Sequence, residues 1–455
     1  MSTTSQGHAL ERERPAGPVR HVHLGLGSFF RAHQAWYTDN APDGAEWPIA
    51  AFSGRSAALA ERLTTQDGLY TLVTQRPEGN TYDVVGSLAR AHAASDVEAW
   101  LAYFADPGVG IVTTTVTEAG YCRGADGGID TERDDVAADL MALRSGDGRP
   151  TTAPGRLVAG LAHRRDAGAG PIAVVPCDNL PENGPVLRGV LLGLADAVDP
   201  ALAAWIEAEV SFVSTMVDRI TPETTESDVD GVLAGTGVTD RAPVVTEPFS
   251  EWVLAGEFPA GRPDWAAAGA LFVDDVAPHE TRKLWMLNGA HSTIAYVGSL
   301  RGHGNVAEAI ADPQVRDAVD AWWSEARQGL DVSAEVVDDY CAALVERFAN
   351  TAIDHRLAQI GTDGSQKLPV RVLPTLRRER AAGNMPHGAV TALSAWVASC
   401  VRGGVACRDA RADEIRDAAA GRNPVRDLLT ILDPTLLDDA PLVTAVVRRV
   451  EELGL

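Results

Sequence analysis

The strongest constraint on the fold is a change of periodicity partway along the chain. Up to about residue 275, short apolar runs rich in β-branched residues alternate with helical stretches. The first run, 19–25, ends in glycine and is followed by a helical stretch and a second apolar run at 47–53. Strands that alternate with helices favour a parallel α/β sheet. A strand–helix–strand unit of this length is typical of the start of a dinucleotide-binding domain.

Helical patterns dominate the rest of the chain, and strand signals nearly vanish. The patterns run over 279–300, 312–328, 333–349, 386–402 and 440–452. We therefore predict an α/β Rossmann-type domain over 18–275 and a mostly α-helical, substrate-binding domain over 276–455. Residues 1–17 have no apolar core and no cleavage pattern of a secretory signal, so we predict a short disordered tail.

Composition and charge narrow the class of ligand. The chain has 455 residues, of which 45% are hydrophobic and 22% charged, enough to bury a full core. Its 63 acidic residues outnumber 39 basic ones, a net charge of −24 that repels nucleic acid and anionic membranes. No apolar run approaches the roughly 18 residues that span a bilayer. The five cysteines show no paired spacing, which favours reduced thiols in the cytoplasm.

The glycine turn after the first run predicts a phosphate-binding site. Gly25 permits a tight turn, and Gly27 permits close approach of a pyrophosphate. The helix that follows offers free N–H groups to an anion. The usual third glycine is missing, because Phe30 occupies its place. An ordinary strand–helix turn is the alternative interpretation.

The end of the second run bears on the choice of dinucleotide. NAD enzymes often carry an acid there that binds the ribose 2′-hydroxyl. Here Arg55 and Ser56 stand in that stretch, and they could instead hold the 2′-phosphate of NADP. Alternatively, Arg55 stacks on adenine or faces water. The predicted cofactor is therefore NAD or NADP.

Lysine is almost absent from the sequence. Only Lys283 and Lys367 occur. On a helix at 100° per residue, Lys283, Asn288 and His291 share one broad face. A neutral lysine can take a hydroxyl proton while hydride leaves for nicotinamide, an amide can hold the developing oxyanion, and an imidazole can fix a hydroxyl. The apolar residues 284–287 make desolvation of the amine plausible. An amphipathic helix with a lysine reaching to water is the alternative.

Several motifs, in order along nearly the whole chain, resemble the polyol-specific long-chain dehydrogenases of the mannitol 2-dehydrogenase and fructuronate reductase type. The motifs are Gly25–His33, Thr115–Glu118, Cys177–Gly184, Phe212–Pro222, Glu247–Phe249, Lys283-x4-Asn288-x2-His291 and Asp363–Lys367. The resemblance implies a Rossmann-type domain followed by a helical domain, no metal, and a monomer or homodimer that acts on a small polyol, ketose or sugar acid.

The resemblance also implies residue roles. Those in catalysis are Lys283 as general acid/base, Asn179 and Asn288 as the oxyanion site, His291 to orient substrate, and Glu118 beside the path of the released proton. Substrate hydroxyls or a carboxylate would be met by Asp218, Lys367 and Arg356. Cofactor-binding positions are Gly25, Gly27, Ser28, Phe29, Arg31, Arg55, Ser56 and Asp178.

Two stretches depart from the mannitol 2-dehydrogenase pattern. Arg55 and Ser56 stand where those enzymes tend to carry acids, which leaves NAD against NADP open. The stretch 355–360 looks more like fructuronate reductases, and a sugar acid's carboxylate could meet Arg356, Lys367 or Arg371. The leading prediction is a polyol–ketose dehydrogenase of the mannitol–fructose kind. The alternatives are a fructuronate reductase (mannonate oxidoreductase), a mannitol-1-phosphate 5-dehydrogenase, a non-catalytic NAD(P)-binding sensor, and a metal-dependent hydrolase.

Overall fold

A computed structural model describes residues 7–54, 56–146 and 149–453. The chain divides into two compact units, Met1–Ala277 and Pro278–Leu455. The predicted boundary lies two residues earlier.

A six-stranded, wholly parallel sheet organises the first unit. Its strands are β1 (His21–Leu24), β2 (Ile49–Phe52), β3 (Leu88–His92), β4 (Ile111–Thr114), β5 (Ile172–Pro176) and β6 (Val210–Phe212). Their order is β3-β2-β1-β4-β5-β6. The four central strands are buried along their whole length, as expected for a parallel sheet covered on both faces. The order reverses between β1 and β4, and ligands of such sheets bind in the crevice at that point. The sheet confirms the predicted Rossmann-type architecture.

Helices connect or follow these strands. They are α1 (Ser28–Ala32), α2 (Gln34–Asn40), α3 (Ala58–Thr64), α4 (Val97–Ala105), α5 (Asp134–Ser145), α6 (Ala153–Ala167), α7 (Asn183–Val198), α8 (Pro200–Glu209) and α9 (Glu226–Thr236). Side chains of α4, α6 and α7 pack against the sheet in one apolar core, for example Phe104, Leu161 and Leu191 against Val112 and Val174.

Smaller sheets lie beside the main one. Tyr70–Thr74 pairs antiparallel with Thr81–Val85 and parallel with Val244–Thr246. Ser214–Asp218 pairs antiparallel with Glu251–Ala255, which also pairs with Leu271–Phe272. Val210–Phe212 and Ser214–Asp218, which are nearly continuous in sequence, thus belong to different sheets.

From residue 7 onward, where the structure describes it, the predicted disordered tail makes ordered contacts. His8–Ala9 forms a short strand parallel to Val238–Thr239. Leu10 is buried, and the guanidinium of Arg12 donates to the carbonyls of Gly86 and Leu88 at 2.6 and 2.7 Å. These contacts involve residues far away in sequence, so local composition gave no sign of them.

The second unit is helical, as predicted. Its helices are α10 (Ala277–Arg282, which begins one residue before the unit), α11 (Gly289–Leu300), α12 (Val306–Ile310), α13 (Pro313–Ala326), α14 (Ala334–Phe348), α15 (Leu357–Ile360), α16 (Gly364–Arg371), α17 (Leu373–Ala381), α18 (His387–Val401), α19 (Ala412–Ala419), α20 (Pro424–Leu432) and α21 (Ala440–Glu452). Helix α18 is buried along most of its length, and it packs against α11, α13 and α21.

The predicted continuous helix at 279–300 is interrupted. Between α10 and α11, residues Lys283–Asn288 form a π-helical turn. In a π-helix each carbonyl accepts from the fifth residue onward, so the phase differs from the α-helical spacing assumed from sequence.

Within the described residues, no helix combines the length and apolar character needed to cross a bilayer. All five cysteines are free thiols.

Candidate functional site

A cavity of about 960 Å³ lies in the first unit, beyond the carboxyl ends of the parallel strands. Its lining includes Gly25 after β1, Gly54 after β2 and Thr115 after β4. This is the crevice that the strand order predicts for a dinucleotide.

Gly25 closes the turn between β1 and α1. Its φ of +118° is a conformation that L side chains rarely adopt, and a Cβ there would meet Thr115 Oγ1 at 2.5 Å. The Thr115 hydroxyl donates to the carbonyl of Gly25 at 2.8 Å, which ties the ends of β1 and β4 together. A Cβ on Gly27 would meet the Gly25 carbonyl oxygen at 3.6 Å, an ordinary van der Waals contact, so the chain is less crowded at this position than at Gly25.

Phe30 replaces the third glycine for a packing reason. Its ring stacks on His23 of β1 at a centroid distance of 3.7 Å. His23 also contacts the hydroxyls of Thr113 and Thr115 at 2.7 and 3.0 Å. Burial lowers the pKa of His23 well below its usual value, so the imidazole beneath the turn is neutral.

The other predicted cofactor residues have varied surroundings. Ser28 and Phe29 begin α1. The guanidinium of Arg31 is buried and donates to the carbonyls of Gly27 and Ala242. Asp178 accepts hydrogen bonds from the Tyr121 hydroxyl and the Leu180 N–H. Ser56 Oγ accepts from the Ala58 N–H at 3.2 Å, and Arg55 lies outside the described residues.

Three predicted catalytic or substrate residues lie in the first unit. Asn179 follows β5 and is exposed, Asp218 ends the strand Ser214–Asp218 and is buried, and Glu118 opens a short 3₁₀ turn and is exposed. The loop that carries Asn179 is braced by Asn183. The Asn183 side chain accepts from the Thr215 N–H at 2.9 Å and donates to the Thr215 carbonyl at 3.0 Å.

The π-turn carries the other predicted catalytic pair. Lys283 is its first residue and Asn288 its last, and both side chains are half-buried. The Gly289 N–H bonds to the Leu284 carbonyl, five residues back. In this register residues five apart fall on one side of the helix, which brings Asn288 closer to the azimuth of Lys283 than an α-helix would.

Two consecutive tryptophans of α13 hold the turn. The indole N–H of Trp322 donates to the Trp285 carbonyl at 2.8 Å, and that of Trp323 donates to the Met286 carbonyl at 2.9 Å. A Cβ on Gly289 would meet the Trp322 indole at 2.6 Å. Only glycine therefore lets α13 approach this closely. Sequence reasoning missed this support, although two adjacent tryptophans in a helical pattern are its visible signal.

Arg371 of α16 braces the end of the turn. Its Nη1 donates to the Asn288 carbonyl at 3.4 Å and to Ser292 Oγ at 3.2 Å. Burial lowers its pKa to about 10, so it stays charged at neutral pH. It forms no ion pair with a carboxylate in the part of the chain that the structure describes.

His291 lies on α11, just after the turn. It is 8% exposed, and its ring packs against Phe348 and His355 at 4.9 and 5.0 Å. Its buried Nε2 has no hydrogen-bond partner among the described residues. Burial, followed by His355, Arg347 and Arg371, lowers its pKa well below the usual value, so the ring is neutral.

The two remaining cations differ in exposure. Lys367, one helical turn before Arg371, donates to the Ile360 carbonyl at 3.3 Å and to Thr362 Oγ1 at 3.2 Å. Burial and then the charge of Arg371 lower its pKa. Arg356 is exposed and pairs with Asp354 at 2.7 Å.

A Rossmann-type unit with a dinucleotide crevice, followed by a helical unit, defines a class of two-domain oxidoreductases. Residues 19–267 match the model of the mannitol dehydrogenase Rossmann domain, and 275–453 match that of the mannitol dehydrogenase C-terminal domain. The chain therefore belongs to the mannitol dehydrogenase family.

Three relatives show the range of the family. D-mannonate oxidoreductase of Escherichia coli is 39% identical over 83% of this chain and 79% of its own length. Polyol:NADP oxidoreductase of Gluconobacter oxydans is 38% identical over 78% of this chain and 75% of its own. The solved ternary complex of Pseudomonas fluorescens mannitol 2-dehydrogenase with NAD and D-mannitol is 34% identical. It has a TM-score of 0.80 and covers 96% of this chain and 93% of that one.

Proposed function

We propose that the protein interconverts a linear polyol and its ketose by hydride exchange with NAD or NADP. The observation that carries the proposal is the π-turn. Lys283 lies at one end of it and Asn288 at the other, and two indole N–H groups donate hydrogen bonds to its carbonyls. Turns of this kind occur frequently at functional sites.

The crevice lined by Gly25 and Thr115 would hold the dinucleotide, whose nicotinamide would supply the hydride acceptor for the carbinol carbon. Lys283 Nζ takes the hydroxyl proton during oxidation and returns it during reduction. The side-chain amide of Asn288 donates to the oxygen where negative charge develops, and Asn179 is assigned the same oxyanion-stabilising role. Because the His291 ring is neutral, it can offer a hydrogen bond to a neighbouring hydroxyl without adding charge.

Two acids complete the proposed roles. Asp218 accepts a hydrogen bond from a substrate hydroxyl, and its burial suits a fixed orientation. Glu118 is exposed, and we propose that it lies beside the water path by which the proton leaves. We further propose that no metal takes part, that the protein acts in the cytoplasm as a monomer or homodimer, and that its partners are small molecules.

A sugar acid is the second candidate substrate. Arg371 and Lys367 are two cations on one face of α16, and neither is paired with a carboxylate among the described residues. A substrate carboxylate would give both cations a negatively charged hydrogen-bond acceptor. The relative named D-mannonate oxidoreductase supports this candidate. A hexitol phosphate is a third option for the same cations.

The test is a set of reductase assays followed at the nicotinamide absorbance. Fructose, fructuronate, tagaturonate and fructose 6-phosphate are each offered with NADH and with NADPH. We expect turnover with at least one ketose, unchanged by a chelator. Nicotinamide binding without turnover of any of them would favour the sensor, and inhibition by the chelator would favour metal chemistry.

The lysine is tested by substitution. We expect Lys283→Met to lower kcat about 10²- to 10⁴-fold, because general acid–base catalysis contributes about that much. A matched control is Arg416→Met, since Arg416 is exposed, has no proposed role in the site and is paired with Asp413 at 2.8 Å; its kcat should be unchanged. Full velocity in Lys283→Arg would remove the neutral amine from the mechanism.

A further inference from the structure

A buried arginine lies beneath the cavity of the first unit. Arg156 of α6 is 5% exposed and is one of the residues that line the cavity. Its guanidinium lies over the rings of Trp100 and Phe52, at 5.0 and 5.8 Å from their centroids. Its Nη1 donates to the carbonyl of Ser53 at 3.4 Å, directly beyond the end of β2.

One end of this guanidinium is unsatisfied. Arg156 Nη2 is buried and has no hydrogen-bond partner among the described residues. Burial lowers the pKa of Arg156 only to about 10, so the group remains a cation at neutral pH. A buried cation with an unused donor is unfavourable unless a bound anion completes it.

Arg164, also on α6, is a buried arginine with a purely structural role and serves as a comparison. Arg164 is fully buried, and its three guanidinium nitrogens donate to the carbonyls of Phe104, Asp106, Ala169, Gly170 and Pro171. Arg156 has one long hydrogen bond instead. Both residues are buried, at 5% and 0% exposure, so burial alone does not explain the difference in hydrogen bonding.

The cavity as a whole favours an anion. Its described lining contains three arginines, Arg133, Arg149 and Arg156, and one acid, Asp135. Asp135 is already paired with Arg133 at 2.8 Å. This excess of positive charge occurs in a chain whose net charge is −24.

The position of Arg156 indicates which part of a bound dinucleotide it would contact. In Rossmann-type domains the adenosine ribose lies at the end of the second strand, where an acid binds the 2′-hydroxyl of NAD or an arginine accommodates the 2′-phosphate of NADP. Here Phe52 is the last residue of that strand, and Ser53 and Gly54 follow without an acid.

We infer that Arg156 binds the 2′-phosphate of the adenosine ribose and makes NADP(H) the preferred dinucleotide. The inference rests on the proposed function, because it concerns the same cofactor crevice. The phosphate oxygens supply the acceptor that Nη2 lacks, and a charged pair of this kind is among the stronger hydrogen bonds in proteins.

The test measures binding without turnover. NADPH and NADH are titrated calorimetrically into the full chain with no substrate present. We expect NADPH to bind about ten-fold or more tightly than NADH. We expect Arg156→Gln to abolish that ratio by weakening NADPH alone, and Arg156→Lys to retain part of it.

A control variant lies on the same helix. Arg165 is partly exposed and pairs with Asp166 and Asp199, so Arg165→Gln should keep both affinities within about two-fold. Circular dichroism of each variant establishes that it folds.

The outcomes separate the two proposals. If wild-type protein binds NADH as tightly as NADPH, the inference about Arg156 fails and the proposed function stands; this comparison needs no variant to fold. An NADPH preference that survives in folded Arg156→Gln also overturns the inference. If neither dinucleotide binds, the proposed function fails with it.

Discussion

At the residue scale, sequence and structure contribute different facts about His291. The spacing from Lys283 predicts that an imidazole belongs to the candidate site. Its neutral state could not be predicted, because burial and the charges of Arg347 and Arg371 come from distant parts of the second unit. The same applies to Arg371, whose hydrogen bonds to Asn288 and Ser292 span about 80 residues of sequence.

We expect His291→Asn to lower kcat/KM about ten-fold, the effect of losing one neutral hydrogen bond to substrate. The shape of the pH profile between pH 6.5 and 8 should not change, because burial holds the pKa of His291 well below 6.5 and the ring stays neutral there. Steady-state rates across that range test both points. A limb near pH 6.5 that disappears in the variant would contradict the neutral ring.

At the scale of single elements, helical periodicity predicted α10 and α11 as one helix. The register of the π-turn between them depends on hydrogen bonds from Trp322 and Trp323, which no pattern within residues 279–300 reports. The sequence therefore predicted a helical segment here, but not the phase of Lys283, Asn288 and His291 around its axis.

We expect Gly289→Ala to destabilise the second unit by about 1–3 kcal/mol, because its Cβ would lie 2.6 Å from the buried Trp322 indole. We expect kcat to fall by more than the loss of stability alone would cause, because the Trp285 carbonyl would lose the hydrogen bond from the Trp322 indole. The matched control is Gly189→Ala in α7, where nothing lies within 4 Å of the new Cβ. Thermal unfolding and kcat of both variants test this. Equal effects in the two would show that close packing at Gly289 is unimportant.

At the scale of the whole molecule, alternation of strands and helices was sufficient to predict the parallel sheet and the helical second unit. It missed the strand His8–Ala9, because a two-residue strand has no periodicity to detect. It also missed the separate sheet of Tyr70–Thr74, which pairs with a segment about 170 residues later. Contacts between distant segments are the part of the fold that local pattern does not encode.

Two buried histidines of the parallel sheet make the free energy of unfolding depend on pH. Burial lowers the pKa of His21 to about 3 and that of His23 well below 6.5. Between pH 6.5 and about 3 the unfolded chain binds protons that the folded chain does not, so stability falls as pH falls. One such histidine contributes a slope of at most about 1.4 kcal/mol per pH unit. We expect the unfolding temperature of His21→Asn to fall less between pH 7 and 5 than that of the wild type, and equal slopes would refute this.

The scarcity of lysine has a practical consequence. Lys283 and Lys367 carry the only ε-amino groups of the chain, and both are half-buried in the helical unit. An acylating reagent can therefore modify few positions, two of them within the candidate substrate site. Mass spectrometry of the acylated protein, with and without added polyol or sugar acid, would report ligand occupancy directly from those two side chains.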